Sequence, residues 1–311
     1  KQKIFLGMMS WKAGDGHIEQ TLQTIFNQTH TNFELLIYDD CSPEDPSEQI
    51  LSLIQDEPRA SFLRGEARLG SSMASQYVLK LAPLDTDYFA WMSDHDLYDK
   101  CWLEKLMEAL NNDIEAAVSY PLVTGINSNG SINERQPTIY QNSDQSIKER
   151  IDSFLSLKAG AGNIIWGLFR FNLLKEIGGW PKTVVPDIIL LARLTLIGSI
   201  VQIDERLHVR REQGGREKIM SSPSSSGMIS RQITGIFPSR PFYTYLEYRL
   251  VNSAYLFYKE PFSAAFNNKQ NFRTALFLWK RYNRYYVLQL LKEMPQRVIS
   301  NRVTRYIQKK L

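Results

Sequence analysis

Asp87–Tyr98, with the sequence DYFAWMSDHDLY, contains the pattern from which the fold of the chain can be inferred. Its first half is an aromatic and apolar run, which is typical of a strand that is covered on both faces of a sheet. The run ends in Ser93–Asp96 (SDHD), where one residue separates two carboxylates. If the chain stays extended there, residues i and i+2 point the same way, so Asp94 and Asp96 are expected to converge.

Two converging carboxylates repel each other unless a cation, a proton or hydrogen-bond donors lie between them. The carboxyl end of a strand in an open α/β sheet is where ligands bind. The pattern therefore favours a hard divalent cation, Mg²⁺ or Mn²⁺, which takes oxygen ligands and carries phosphates. The alternative interpretation is that Asp94 caps the helix beginning near Lys100 and that Asp96 is a solvated turn residue.

The composition is that of an ordinary soluble globular protein, with 43% hydrophobic and 23% charged residues in a chain of 311. The two cysteines, Cys41 and Cys101, exclude a disulfide scaffold and a zinc-ligand pair, and they favour a reducing compartment. Neither a signal peptide nor an apolar run long enough to span a membrane is expected from the sequence.

The net charge of +4 is unevenly distributed along the chain. Residues 240–311 contain 14 Lys and Arg against 3 Asp and Glu, whereas the remainder contains 23 basic and 30 acidic residues. A basic tail on an acidic body suggests that the tail faces something anionic. Its basic residues alternate with aromatic ones at helical spacing, which fits the surface of an anionic membrane. Packing of the tail on the acidic body is the other open interpretation, and nucleic-acid binding is not expected because no recognised module is present.

Apolar runs alternate with amphipathic segments through the first 120 residues, which predicts a doubly wound, mostly parallel α/β sheet. One acidic pair, Asp39 and Asp40, ends the second predicted strand. The other pair, Asp94 and Asp96, follows the fourth predicted strand. Both pairs are therefore expected at one edge of the sheet. The predicted strands are Lys3–Met9, Phe33–Tyr38, Ala60–Arg64, Asp87–Met92 and Ala116–Tyr120, and the predicted helices are His17–Gln28, Ser47–Gln55, Ser71–Leu81 and Trp102–Leu110.

The glycines do not form a phosphate-binding loop. Gly7–Gly16 fits neither the P-loop nor the dinucleotide-binding pattern, and Gly160–Gly162 carries only part of the latter. A Rossmann dehydrogenase is therefore not expected. Where glycine amides are missing, a metal ion can neutralise phosphates, which is the role predicted for the Asp94 and Asp96 pair.

Several short motifs, taken in order, resemble those of family 2 glycosyltransferases, which have the GT-A fold. The similarity covers about residues 3–216, and Cys41 and Arg68 stand where the family usually has glycine and asparagine. The matching stretches are Phe26–Leu35 at the entry to the second strand, Tyr38–Ser42 (YDDCS), Arg68–Gly70 (RLG), Ser93–Asp96 (SDHD), Gly162–Leu168 (GNIIWGL) and Pro186–Ala192 (PDIILLA), the last two in the acceptor half.

The resemblance implies a metal-dependent, inverting glycosyltransferase that uses a nucleotide-diphosphate sugar. The acceptor is expected to be a hydroxyl of a saccharide or lipid-linked molecule in surface polysaccharide or glycolipid assembly. Asp94 and Asp96 are the implied Mn²⁺ or Mg²⁺ ligands. Asp187 is the implied general base, although a helix cap at the start of the apolar run Ile188–Ile197 is also possible. The implied donor-binding residues are Ser10, Trp11, Asp39, Asp40, Arg68, Asp94 and Arg211.

Some of these roles have alternatives. Trp11 is expected to stack on the base, or else to pack in the core. Arg64 or Arg68 is expected to reach the diphosphate, and contact by Arg210 or Arg211 instead is the alternative. The family often has a histidine after a basic pair that completes the metal shell, but this chain has Gln213 there. Either Asp94, Asp96 and the diphosphate hold the metal ion, or Glu212 substitutes for the histidine as a ligand. His208 is interpreted as a strand residue.

The expected organisation is a catalytic domain over residues 1–218, a flexible linker or lid over 219–240 and a basic, aromatic-rich helical region over 241–311. The expected location is the cytoplasm, with peripheral binding to the inner face of the membrane left open. Two other functions also stay open: a sugar nucleotidyltransferase, and a non-catalytic sugar- or membrane-binding module on a GT-A scaffold.

Overall fold

The computed structural model of the protein describes residues 2–12, 16–127, 130–133, 139–155, 163–181 and 186–211. The chain divides into two units after Lys218, and all of these residues belong to the first. The predicted linker 219–240, the predicted helical region 241–311 and the candidates Glu212 and Gln213 lie outside the described residues. What the sequence indicates about them therefore stays a prediction.

Strands and helices alternate through the first half of the described chain, close to the predicted bounds. Here the elements are β1 Ile4–Ser10, α1 Ile18–Phe26, β2 Phe33–Asp39, α2 Ser47–Ile54, β3 Ala60–Arg64, α3 Ser71–Leu81, β4 Tyr88–Ser93, β5 Leu97–Tyr98 and α4 Trp102–Asn112. In the second half they are β6 Ala116–Ile126, β7 Ile132–Asn133, α5 Ile147–Leu155, a 3₁₀ turn Ile164–Trp166, β8 Leu168–Arg170, α6 Phe171–Glu176, α7 Pro186–Ile197 and β9 Ser199–Arg211.

The strands form one sheet in the order β3-β2-β1-β4-β8-β6-β9-β5, with β7 paired to β6. Neighbours among β1 to β4 are parallel, as are β6 and β9. The short strands β5, β7 and β8 pair antiparallel with their neighbours. The predicted mostly parallel sheet is confirmed. The antiparallel strands were not predicted, because two or three residues carry no periodic pattern.

Alternate residues along each strand supply two hydrophobic cores, one on each face of the sheet. Phe5 and Phe89 belong to the core that α3, α6 and α7 cover, while Leu6 and Ala90 belong to the core that α1, α2 and α4 cover. Because both faces are buried, the central strands are apolar along their whole length. This arrangement confirms that the sheet is doubly wound.

The strand order reverses at β1, since β2 and β3 lie on one side of it and β4 on the other. In the parallel register Ser10 is level with Asp39, and Met9 is level with Ser93. The carboxyl ends of β1, β2 and β4 therefore meet at one edge, and a reversal of this kind leaves a ligand-binding crevice there. The prediction that both acidic pairs follow strands at the same edge is confirmed.

Helix α3 approaches β1 closely because Gly7 has no side chain. A Cβ atom at Gly7 would lie 2.2 Å from Val78 Cγ1. We expect Gly7→Ala to lower the free energy of unfolding by about 1–3 kcal/mol, the usual cost of overpacking a core. Urea denaturation monitored by circular dichroism measures this change.

Val78→Ala removes the colliding methyl groups, so it serves as the matched partner in a double-mutant cycle. The double variant Gly7→Ala/Val78→Ala is expected to lose less stability than the sum of the two single variants. Strictly additive losses would contradict a steric contact between these two positions.

Candidate active site

The segment that follows β4, Asp94–Asp96, is called the DHD loop below. The chain bends at Asp94 and His95 instead of staying extended. The extended conformation from which the convergence of the two carboxylates was predicted is therefore wrong. Asp94 Oδ1 lies 2.7 Å from His95 Nδ1. Helix α4 begins after Cys101 without a side-chain cap, so Asp94 does not cap it either.

Asp96 is 2% exposed, and each of its carboxylate oxygens is hydrogen-bonded to β9. His208 Nε2 lies 3.0 Å from Asp96 Oδ2, and the backbone N–H of Arg211 donates to Asp96 Oδ1 at 2.9 Å. Burial by itself raises the pKa of Asp96, but the hydrogen bond from His208, the charge of His95 and the Arg211 amide outweigh it and hold the pKa below its usual value. Asp96 is thus an ionised, buried carboxylate and not a solvated turn residue.

Arg211 connects the end of β9 to two other elements. Its guanidinium donates to the backbone oxygen of His95 at 2.8 Å and to Gln20 Oε1 on α1 at 2.6 Å. Arg210 instead donates to Asn163 Oδ1 at 3.2 Å. Arg211, one of the candidates for the diphosphate contact, is thus bonded to the DHD loop.

His208 belongs to this site, although its sequence context indicated only a strand residue. It lies in β9, it is fully buried, and its ring stacks on Tyr98 with centroids 5.0 Å apart and planes 12° apart. The Tyr98 hydroxyl accepts the backbone N–H of Ser93 at 3.0 Å. Antiparallel pairing of β5 with β9 brings Tyr98 opposite His208. No local motif could have revealed a contact between strands so far apart in the chain.

Asp39, at the end of β2, is fully buried, and its carboxylate is hydrogen-bonded to other groups of the protein. It accepts hydrogen bonds from the Ser42 backbone N–H at 3.0 Å, from the Ser42 hydroxyl, and from Arg64 Nη1 at 2.5 Å. Arg64 Nη2 also donates to the backbone oxygen of Ser42 at 2.9 Å. The side chain of Arg64, a candidate for the diphosphate contact at the end of β3, is thus held against the loop between β2 and α2.

Asp40 holds the turn that precedes α3. Its carboxylate accepts the backbone N–H groups of Leu69 at 2.7 Å and Gly70 at 2.8 Å. Burial raises the pKa of Asp40, and these two amides and the Arg68 charge offset part of the rise. The backbone N–H of Asp40 donates to Ser10 O at 3.0 Å, and within the described part of the chain the buried Ser10 hydroxyl has no hydrogen-bond partner. A ligand in the crevice could supply one.

Trp11 and Arg68 form an exposed rim beside this turn. The Arg68 guanidinium lies 4.1 Å from the centroid of the Trp11 ring, and Lys12 Nζ lies 4.7 Å from it. Trp11 is 37% exposed, so the alternative of core packing is wrong. A flat ring beside two cations can hold an aromatic base next to an anionic group.

Two further positions bear on the sequence interpretation. Cys41, which replaces the family's glycine, has a φ of +55°, a left-handed conformation that glycine adopts without steric cost.

Asp187 lies in the first turn of α7 and is partly buried. A carboxylate there is favoured by the helix dipole whether or not it also acts as a base. Asp187 is carried by a separate element from the residues that follow β1, β2 and β4.

The sequence matches the family model for glycosyl transferase family 2 over residues 16–177, about half of the chain. A 99-residue stretch, 32% of the chain, is 28% identical to the Bacillus subtilis protein named "Putative teichuronic acid biosynthesis glycosyltransferase TuaG". That stretch spans 38% of the length of the curated relative.

Solved structures of S. aureus TarS resemble the fold. TarS 1–349 in complex with UDP-GlcNAc superposes with a TM-score of 0.56 and 14% identity, over 96% of this chain and 83% of that one. A second TarS structure gives a TM-score of 0.53 and 15% identity, over 87% of this chain and 45% of that one. At this identity the likeness concerns the fold alone.

The fold and the acidic edge of the sheet agree with the GT-A scaffold expected from the sequence. The protein belongs to glycosyl transferase family 2, which confirms the resemblance seen in the sequence.

Among the described residues, no group of three or more His, Cys, Asp or Glu side chains is arranged to hold a metal ion. None of the helices in the described ranges has the length and hydrophobicity needed to cross a bilayer.

The two arginines near the second strand are expected to differ in their effect on stability. Arg64→Met leaves the buried Asp39 carboxylate without its charged partner, so we expect the free energy of unfolding to fall by about 1–3 kcal/mol. Arg68→Met is the matched control, because Arg68 is exposed and its contact with Trp11 is on the surface. Chemical denaturation of both variants measures the difference, and equal losses would contradict the role given to Arg64.

Proposed function

We propose that the protein transfers a sugar from a nucleotide-diphosphate sugar to a hydroxyl group of a saccharide or lipid-linked acceptor, in a metal-dependent reaction that inverts the anomeric centre. The observation that carries the proposal is the buried, ionised Asp96 beside Asp94 at the edge of the sheet where the strand order reverses. Membership of glycosyl transferase family 2 supports it.

The nucleotide is proposed to bind over the carboxyl ends of β1 and β2. Trp11 is exposed there and offers a flat ring for the base, while the Ser10 hydroxyl has an unused hydrogen-bonding capacity. Asp39 and Asp40 support this surface by holding its loops, and Arg68 supplies a positive charge at the rim. Because the TarS structure that resembles this fold contains UDP-GlcNAc, UDP-sugars are the first donors to test.

A divalent cation fits the DHD loop by the chemistry of its donor atoms. Mg²⁺ and Mn²⁺ prefer oxygen ligands, and sites that bind substrate phosphates often need only one or two protein carboxylates. Asp96 would be the main ligand and Asp94 the second, with Arg211 beside them. When bound, the ion would stabilise the negative charge that develops on the leaving diphosphate.

Inversion requires a base on the side of the sugar opposite the leaving group. Asp187 is the proposed base: its carboxylate would accept the proton of the acceptor hydroxyl as that oxygen attacks the anomeric carbon. The bond from the anomeric carbon to the diphosphate breaks in the same step. The acceptor half of the chain, which includes α7, is proposed to position the hydroxyl.

The acceptor is proposed to be a growing cell-surface polysaccharide or its lipid-linked precursor. The name of TuaG places that protein in teichuronic acid biosynthesis, which supports this class of acceptor. The basic, aromatic-rich residues 241–311 are proposed to bring the enzyme to the anionic inner face of the membrane, where such an acceptor is found.

Donor binding is expected to depend on both a divalent ion and Asp96. UDP-, GDP- and dTDP-sugars are added to the protein with and without MnCl₂, and the melting temperature is recorded. One nucleotide class should raise it, and only with Mn²⁺ present, because a ligand that binds the folded state alone stabilises it. Asp96→Asn should remove the shift, whereas the exposed control Asp204→Asn should keep it. A protein that no nucleotide stabilises would be better described as a binding module.

Asp187→Asn is expected to reduce turnover by at least about 100-fold, the usual contribution of general-base catalysis, while donor affinity stays within about two-fold. Released nucleotide is measured for turnover, and calorimetry gives the affinity. Glu48→Gln, in the first turn of α2, controls for the loss of a negative charge at a helix start. If Asp187→Asn weakened donor binding as much as turnover, its role as the base would be wrong.

A further inference from the structure

We infer that His208 is a positioning residue for the proposed donor site, which orients the Asp96 carboxylate through a hydrogen bond from His208 Nε2–H to Asp96 Oδ2. The inference rests on the proposed function and adds a residue that acts through Asp96 without touching the substrate.

The two hydrogen bonds to Asp96 come from two points on the same strand. Arg211 provides a backbone N–H to Oδ1, and His208 provides Nε2 to Oδ2, at 2.9 and 3.0 Å. With one donor on each oxygen, the carboxylate cannot rotate without breaking a bond. Each oxygen keeps a second lone pair for a cation. Of the two donors, His208 alone acts through a side chain, so it is the one that substitution can remove.

His208 is itself held in place by a chain of contacts that returns to the DHD loop. Its ring lies flat against Tyr98, and the Tyr98 hydroxyl accepts the backbone N–H of Ser93, the residue before Asp94. The ring is fully buried. The loop that carries the carboxylates is therefore fixed at its start through Tyr98 and at its end through His208.

The partners of the imidazole ring decide its tautomer. His208 Nδ1 is buried and has no hydrogen-bond partner among the residues that the structure describes. An ionised carboxylate only accepts hydrogen bonds, so the nitrogen bonded to Asp96 Oδ2 must carry a proton. The proton therefore belongs on Nε2, where it points at Asp96. A nitrogen that donates to a carboxylate has no lone pair left for a metal ion, so Nε2 supports a ligand and does not act as one.

The test compares two amide side chains that differ in reach. The amide nitrogen of His208→Gln can occupy the place of Nε2 and donate to Asp96, whereas that of His208→Asn ends near the place of Nδ1 and cannot. The probes are UDP, GDP and dTDP, each titrated with MnCl₂ by calorimetry, together with kcat and KM for the donor sugar. Loss of a residue that orients a metal ligand typically costs 10- to 100-fold in affinity or activity.

We expect His208→Asn to lose 10- to 100-fold in nucleoside diphosphate affinity and His208→Gln to stay within about five-fold of the wild-type protein. His30→Asn is the matched control: His30 is a buried histidine bonded to backbone oxygens at the amino edge of the sheet, away from the site. It should lower the melting temperature as His208→Asn does, but leave affinity unchanged.

Equal affinities for the His208→Gln and His208→Asn variants would overturn the inference while leaving the proposed function intact. A wild-type protein that binds none of the three nucleotides would overturn the proposed function and the inference with it. Should both variants fail to fold, nitrogen-15 NMR of the wild-type protein decides: a proton on Nε2 that is hydrogen-bonded to Asp96 supports the inference, and a proton on Nδ1 refutes it.

Discussion

The ionised carboxylate of Asp96 is the constraint on which the candidate site depends. A buried charge is costly unless donors surround it, and here the donors come from β9, more than a hundred residues further along the chain. The loop after β4 therefore has its geometry set by the last described strand. The first half of the fold supplies the acidic residues, and the second half makes them a defined site.

The acidic pair after β2 shows a different use of carboxylates at the same edge. The carboxylate oxygens of Asp39 and Asp40 both accept hydrogen bonds from protein groups. Asp39 accepts from the loop that includes Ser42, and Asp40 accepts from the amides before α3. Their immediate effect is to shape the surface beside Ser10. A short acidic motif at a strand end can thus lie at a candidate site while its carboxylates bond to the loops that form that site.

Two departures from the family pattern have a physical explanation in the structure. Cys41 takes the left-handed backbone conformation of the glycine that it replaces, so the turn survives at some steric cost. Arg68, in place of asparagine, lies over Trp11 and gives the rim of the crevice a positive charge. Neither change disturbs the hydrogen bonds that Asp40 makes to the following turn.

The sequence by itself determined the doubly wound sheet, because buried strands such as β4 are apolar along their whole length and helices such as α1 repeat their apolar residues at helical spacing. It also placed the acidic residues at strand ends, since a polar run that stops an apolar strand is a local signal. Only the tertiary structure decided the bend at Asp94, the short antiparallel strands and the contact of His208 with Asp96. The contact of His208 depends on β9 lying against β5, and β7 and β8 depend on their pairing with β6. A pairing between separate segments leaves no periodic pattern in either of them.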